Sequence, residues 1–415
     1  MASKNELNLK LLSESQLSSP IFKQEAYDIY KELREFHPVY PLSSGGQSQS
    51  WLITRYEDAI SLLKDTKLMK NIENVFSDKE EIDAPISLEN RELLRNHMLN
   101  SDPPDHNRLR SLAQKAFTPK MILQLEDQIQ YIAGTLLSKV EHNNSINIVS
   151  DYAFPLPIMV ISEMLGVPLE DQHKFRAWSQ AIISTPNTLE DMQKNNQKLG
   201  EFAEYIQHLV NKKKEKPADD LISALIKAES EGTKLNTSEL YSTITLLIVA
   251  GHETTVNLIT NMTLALLEHP VQLQKLRQSP DLIDLAIEEA LRFYSPVELT
   301  TLRWTAEPFT MHGQDIQSKD RIIISLASSN RDENIFPNAD VFDITRKNNR
   351  HIAFGHGSHF CLGASLARLE AKIAISTLLH RLSNIQIQGE REQIRWIENY
   401  LMRSLEELPL KFQLI

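Results

Sequence analysis

The chain has 415 residues, 41% hydrophobic and 24% charged, the proportions of an ordinary globular protein long enough to bury a large core and a prosthetic group. Its net charge of −11 disfavours a general affinity for nucleic acid or for anionic membranes. One cysteine excludes an internal disulfide and a cysteine-rich zinc or iron–sulfur site, and only 12 glycines fit a mainly helical fold. Length alone allows two or three domains, but no linker and no repeat at solenoid spacing is visible. The expectation is a flexible tail over residues 1–20 and a single domain over 21–415. The first 20 residues are polar, without the apolar core of a signal peptide, and no segment reads as long enough to span a membrane. A cytoplasmic monomer without a membrane anchor is expected.

In chain order, Phe22, Ala26, Ile29, Tyr30 and Leu33 recur at helical spacing over 22–36, and Pro38 stops that helix. Trp51, Leu52 and Ile53 mark a strand over 50–54, and a short helix begins near Tyr56. Residues 65–100 show no sustained period and read either as a functional loop or as a surface insertion. In Asp102-Pro103-Pro104-Asp105-His106-Asn107-Arg108-Leu109-Arg110 the prolines end that loop and Asp105 is placed to cap a helix. His106 and Arg110 then share one helical face, either as a solvated basic pair or as two donors for carboxylates on a buried cofactor. Residues 122–183 read as mainly helical, with breaks at Phe154–Pro157 and Gly166–Pro168. The helix over 189–216 ends in Lys212, Lys213, Lys214, Glu215 and Lys216, a solvated run that complements the helix dipole.

A long helix is predicted from Thr237 to Glu268, with Asn236 and Glu239 at capping-box spacing and His269-Pro270 as its stop. Such a rod is about 48 Å long, so it crosses the molecule and must be largely buried. Its middle reads Ala250-Gly251-His252-Glu253-Thr254-Thr255, a poor choice for the centre of a buried helix. A threonine hydroxyl can take a helix carbonyl and glycine leaves room, so the helix can open a groove here. The stretch is either a kink satisfied by its own side chains or a place where an acid and an alcohol relay protons. Further on, Glu289 and Arg292 share a face of a helix ending near Ser295-Pro296. As a surface pair they are worth little; as a buried pair they need further partners. Arg321–Ser325 alternates weakly, as a strand does.

Residues 354–363 read Phe354, Gly355, His356, Gly357, Ser358, His359, Phe360, Cys361, Leu362, Gly363. A helix-favouring run follows in Ala364, Leu366, Ala367 and Leu369, so Cys361 sits at a turn feeding a helix N-terminus. Free N–H groups and the helix dipole favour a thiolate there. A buried, inert thiol is the plain alternative. A thiolate in a glycine-rich loop, with no second metal ligand nearby, suits axial ligation of a haem iron.

The spacing Phe354-x-x-Gly357-x-x-x-Cys361-x-Gly363 resembles the haem-binding loop of the cytochrome P450 family. Ala250–Thr255, Glu289-x-x-Arg292 and Asp102–Arg110 are similar to three further signatures of that family, and the likeness runs from about residue 30 to about residue 410. It implies a mainly α fold with small β-sheets: a triangular helical domain and a smaller β-rich lobe around one haem b. By that resemblance Cys361 is the axial ligand, and His106, Arg110, Arg303 and His359 contact the propionates. Ala250, Gly251, Phe354, Gly355 and Gly363 lie against the haem. Thr254 and Glu253 guide protons, and Glu289, Arg292 and Arg346 form a structural group behind the cofactor.

The implied reaction is monooxygenation by dioxygen and two electrons. The chain carries no flavin, nicotinamide or iron–sulfur module, so a ferredoxin or flavodoxin with its reductase must supply the electrons. Over 340–372 five cations (Arg346, Lys347, Arg350, Arg368, Lys372) stand against three anions (Asp340, Asp343, Glu370). They form a docking patch for an acidic partner, or else serve haem carboxylates and helix ends. Pocket walls are expected from the 65–100 loop, the 178–188 turn, Leu246–Ala250, Val297–Thr301 and the turn near Tyr400. Met98, Leu246, Val249, Val297, Thr300 and Leu401 are the candidate substrate contacts, a set that suits a bulky lipophilic molecule. Tyr294-Ser295-Pro296-Val297-Glu298 and the Asp-Pro-Pro-Asp-His stretch look most like bacterial members that tailor polyketides and macrolides. Hydroxylation of a polyketide, free or carrier-bound, as in antibiotic biosynthesis, is the resulting expectation. The alternatives are a monooxygenase for steroids or terpenoids, a peroxide-driven oxygenase of acyl chains, and a haem sensor or carrier. Retention of Glu253 and Thr254 argues against the peroxide-driven one, since peroxide already carries its protons.

Overall fold

The helix Thr237–Glu268 runs through the centre of the fold, and other helices pack around it. Its start is set locally: Asn236 Oδ1 accepts from Glu239 N at 2.8 Å and Glu239 Oε2 accepts from Asn236 N at 2.9 Å, a closed capping box. Beyond the first turn it is buried on almost every side, with Leu240, Ile244, Ile248, Ile259, Met262 and Leu264 among its buried apolar residues. Each such side chain contributes roughly 1.5–3 kcal/mol of burial free energy. The helices Pro155–Leu165, Ile283–Phe293 and Ala364–Arg381 cover it. Two of its interior threonines bond back to the helix: Thr260 Oγ1 donates to Val256 O at 3.0 Å and Thr263 Oγ1 to Ile259 O at 2.8 Å.

The computed structural model describes residues 12–43, 48–76, 94–115, 117–183, 188–230 and 235–415. Among them are ten short strands in three sheets beside the helices, a mainly helical architecture with a small β lobe. The largest sheet has the order β1 (Val39–Leu42), β2 (Ser50–Ile53), β8 (Arg321–Ile324), β5 (Arg303–Thr305), β3 (Leu68–Met69). Only β2 and β8 run parallel; the remaining neighbours are antiparallel. This sheet delivers Arg303 and the segment after Met69 to the same edge. β4 (Ser145–Asn147), β10 (Pro409–Leu414) and β9 (Leu382–Ile387) form a second sheet, and β6 (Phe309–Met311) and β7 (Gln314–Ile316) a hairpin.

Four expectations from the sequence are corrected. Residues 14–20 are not a tail. A helix spans Glu14–Ser18, held by a Ser13/Gln16 capping box, and Leu17 is wholly buried against Phe22, Tyr40 and Leu299. Residues 1–11 lie outside the described residues. Ile148–Leu165 is, by length and composition, apolar enough to cross a membrane, with mean hydropathy 1.4; most of it is buried inside the fold, packed against the central helix. Asp105 is not a cap but the first residue of the helix Asp105–Gln114, and its carboxylate accepts from Arg108 at 2.8 Å. Finally, the central helix continues unbroken through Ala250–Thr255, so its composition there does not open the backbone.

Candidate active site

The loop before Cys361 is built from backbone bonds. Cys361 N donates to Phe354 O at 2.9 Å, Phe360 N to Gly357 O at 3.1 Å and Gly355 N to Ile352 O at 2.8 Å. Gly355 and Gly357 hold φ of 72° and 73°, which only glycine adopts at little cost. Gly363 does not need this freedom, with φ of −87°; instead, open space lies where its Cβ would point. The helix begins at Ala364, three residues past Cys361. Cys361 is exposed, yet burial pushes its thiol up, against the Gly363 N–H and the Arg110 and Arg368 charges. The helix start therefore does not by itself produce a thiolate; a bound metal ion would.

The loop is pinned to the helix Asp105–Gln114. Arg110 Nη2 donates to Phe360 O at 2.8 Å, and the rings of His106 and His359 are 4.3 Å apart. Arg303 from β5 is 5% exposed and, among the described residues, reaches only Thr301 O, at 3.4 Å. Burial brings Arg303 down to about 10. His359 is pushed down to about 2 by burial first, then by Lys70, His106, Arg303 and Arg110. His106, Arg110, Arg303 and His359 thus converge, as their sequence assignment required, and repel one another. Lys70 and His97 join them, and neither was singled out from sequence. His97 is buried with its Nδ1 unpartnered and is lowered to about 4 by burial. Nothing marks these two locally except isolated basic residues in a segment without periodicity. Asp102 is the acid that acts on this group, and its oxygens already accept from Lys70 N, Asn71 N and Asn74 Nδ2 at 2.8, 3.0 and 2.9 Å.

On the central helix, only Leu246, Ala250, Gly251 and Thr254 are not buried between Ser242 and Leu266. They lie at i, i+4, i+5 and i+8, one stripe on one face. Thr254 Oγ1 donates to Ala250 O at 3.0 Å. Glu253 is 8% exposed, and its Oε1 lies 3.3 Å from Nε2 of the fully buried His252, whose Nδ1 faces Ile248 O at 2.7 Å. Val249 falls off the stripe and is buried. Thr300 is also buried, and its hydroxyl is spent on Ile324 N at 3.2 Å. Met98, Val297 and Leu401 are half-buried. Parts of the expected 65–100 and 178–188 walls, residues 77–93 and 184–187, lie outside the described residues.

Behind the cysteine loop, Glu289 is wholly buried and collects donors from every side. Arg292 Nε and Nη2 reach it at 2.8 Å each, Arg346 Nε at 3.0 Å, Asp343 N at 2.9 Å and Asn349 Nδ2 at 3.0 Å. Arg292 also donates to Asn330 O, Ala339 O and Val341 O. A buried ion pair is tolerable only with such full satisfaction. The expected basic patch is narrower than its composition: Arg346 serves Glu289, Arg368 binds Glu288 at 2.6 Å and Lys372 binds Asp284 at 3.0 Å. Lys347 and Arg350 stay exposed.

These features fit haem b. A crowd of basic groups facing one already-occupied carboxylate suits a planar group carrying two carboxylates. The lone cysteine and the open stripe suit a metal with one protein ligand. A fold and site of this kind define a haem-thiolate oxidoreductase. The sequence profile of the family described as Cytochrome P450 matches residues 15–412, and the chain belongs to that family. It is 68% identical over 412 residues to a "Cytochrome P450" of Bacillus subtilis (strain 168), covering 99% of this chain and 100% of that one. It is 43% identical over 392 residues to the "Polyketide biosynthesis cytochrome P450 PksS" of the same organism, covering 94% of this chain and 96% of that protein. The solved PksS structure aligns with a TM-score of 0.88 at 42% identity, covering 96% and 99% of the two chains. The myxobacterial CYP267B1 in complex with myristic acid aligns at 0.91 and 39% identity, covering 96% and 99%.

Proposed function

We propose that this P450 hydroxylates a bulky lipophilic polyketide-type molecule, with dioxygen as oxidant and a ferredoxin or flavodoxin as electron donor. The observation that carries the reading is the open stripe Leu246–Ala250–Gly251–Thr254 on an otherwise buried helix, with the acid Glu253 beside it. Haem b, when bound, supplies oxygen reduction and C–H oxidation, with Cys361 as its thiolate ligand. His106, Arg110, Arg303 and His359 would hold its propionates, and Phe354, Gly355 and Gly363 would pack against it. Thr254 Oγ1 is the residue that positions a proton: its hydrogen is parked on Ala250 O and can turn toward the open side. Glu253 resupplies that proton from a nearly water-free position next to His252. Both roles fit reduction of dioxygen, which consumes protons, better than use of peroxide.

Leu246, Met98, Val297 and Leu401 would form apolar walls for the substrate. The polyketide class rests on likeness to PksS and on the apolar character of these walls; the substrate is free or carried by an acyl carrier protein. The chain acts as a cytoplasmic monomer, and Lys347 and Arg350 would meet the acidic electron donor. The test is direct. The reduced carbon monoxide complex must show the red-shifted thiolate band, and polyketides must shift the ferric spectrum and be hydroxylated with a ferredoxin–reductase pair. Equal turnover with peroxide alone would replace the dioxygen reading, and an absent thiolate band would end it.

A further inference from the structure

Among the described residues, no carboxylate touches the buried ammonium of Lys70. Lys70 follows β3, is 4% exposed, and donates through Nζ to Thr301 Oγ1 and, at 3.0 Å, to Leu302 O. Both acceptors are neutral. Its backbone N–H bonds Asp102, whose other oxygen is taken by Asn71 N and Asn74 Nδ2. An ammonium carries three N–H donors, so one is left over. Of the charged groups that act on Lys70, Arg303 opposes its ammonium and Asp102 favours it, while the neighbouring His97 and His359 are held neutral. Burial, then Arg303, hold the ammonium well below its ordinary range. Arg303 has the same need, with a single long bond among the described residues, to Thr301 O. Two buried cations that both bond to Thr301, each with donors to spare, ask for an anion with at least two oxygens.

Resting on the haem reading above, we propose that Lys70 is a cofactor-binding residue: its remaining N–H donates to a haem propionate alongside Arg303. It thereby ties the β3 edge of the sheet, and the loop that follows it, to the cofactor. Lys70 would not merely brace Thr301 and Leu302, because two neutral acceptors do not require a charge.

The test measures haem transfer from the ferric holoenzyme to excess apomyoglobin. The unsubstituted chain, Lys70→Met and Lys70→Gln are each loaded either with haem b or with its propionate dimethyl ester. Loss of one charge-assisted bond predicts about tenfold faster release of haem b from Lys70→Met. The ester, lacking a carboxylate charge, is released at the same rate by all three proteins. Lys70→Gln keeps a donor for Thr301 and Leu302, guards against misfolding of the methionine variant, and shows the same selective effect. Unchanged release of haem b, or equal acceleration of both haems, overturns the proposal. If the unsubstituted chain lacks the thiolate band, the haem-thiolate reading itself fails and this proposal with it; a normal band with unchanged release removes Lys70 alone.

Discussion

Lys23 Nζ lies 2.9 Å from Glu298 Oε2, and neither side chain is exposed at all. Tyr30 donates to the other carboxylate oxygen at 2.8 Å, and Arg403 Nη1 stands 3.6 Å away. Glu298 belongs to the Val297–Thr301 segment, and its backbone N–H bonds Leu401 O at 2.8 Å. The first long helix, Pro20–Phe36, is therefore keyed to two candidate walls of the substrate pocket. Lys23→Met leaves the carboxylate buried with less positive charge and should lower stability by roughly 3–5 kcal/mol. The double variant Lys23→Met/Glu298→Gln should recover part of that loss in urea unfolding; full additivity would show that the pair is not coupled.

Gly357 combines φ of 73° with a Cβ direction that meets Leu63 O at 2.8 Å. Gly357→Ala must strain the backbone, by about 1–2 kcal/mol, and also push the cysteine loop away from the helix Tyr56–Lys64. A lower Tm and reduced haem content are expected. Gly363→Ala, with open space at its Cβ, should leave Tm unchanged but lower haem affinity if that space belongs to the cofactor.

Glu288 offers a pH test. Burial alone would raise its carboxyl, but hydrogen bonds from Arg368 and His351 outweigh this and bring it down to about 2. A depressed carboxyl stabilises the fold above its unfolded value, near 4.5, and that contribution fades as pH falls toward 2. Glu288→Gln should therefore cost about 1–2 kcal/mol at pH 7, after allowance for partial exposure. In urea titrations the gap from the unsubstituted protein should close between pH 4.5 and 2. A gap independent of pH would assign the effect to packing.

Thr254→Ala removes a hydroxyl that, among the described residues, bonds only to its own helix, so folding and haem content should be unchanged within about 1 kcal/mol. Electron use should be diverted, with peroxide released per electron pair rising several-fold. Product yield equal to that of the unsubstituted enzyme would remove Thr254 from proton delivery. Glu253→Gln should slow oxygen consumption without that rise in peroxide.

Most helices were legible because their signals are short-range. The Asn236/Glu239 box and the apolar period after it place the central helix at Thr237–Glu268 without further information. The cysteine loop and the Glu253-Thr254 stretch stood out for a related reason: they break local rules, and such breaks are visible in one dimension. The N-terminal boundary was misread because Leu17 shows no period of its own; its burial depends on Tyr40 and Leu299, far along the chain.

By itself, then, the sequence determined the helical class, the central helix and its caps, the lone thiol in its glycine loop and the acid–alcohol pair. Tertiary structure decided which charges are paired. Arg346 was drawn away from the surface to Glu289, Lys23 was sealed against Glu298, and Lys70 and Arg303 were both brought to Thr301. The physical reason is desolvation. A charge in water needs no particular partner, whereas a buried one must find its donors and acceptors wherever the fold brings them, often hundreds of residues away.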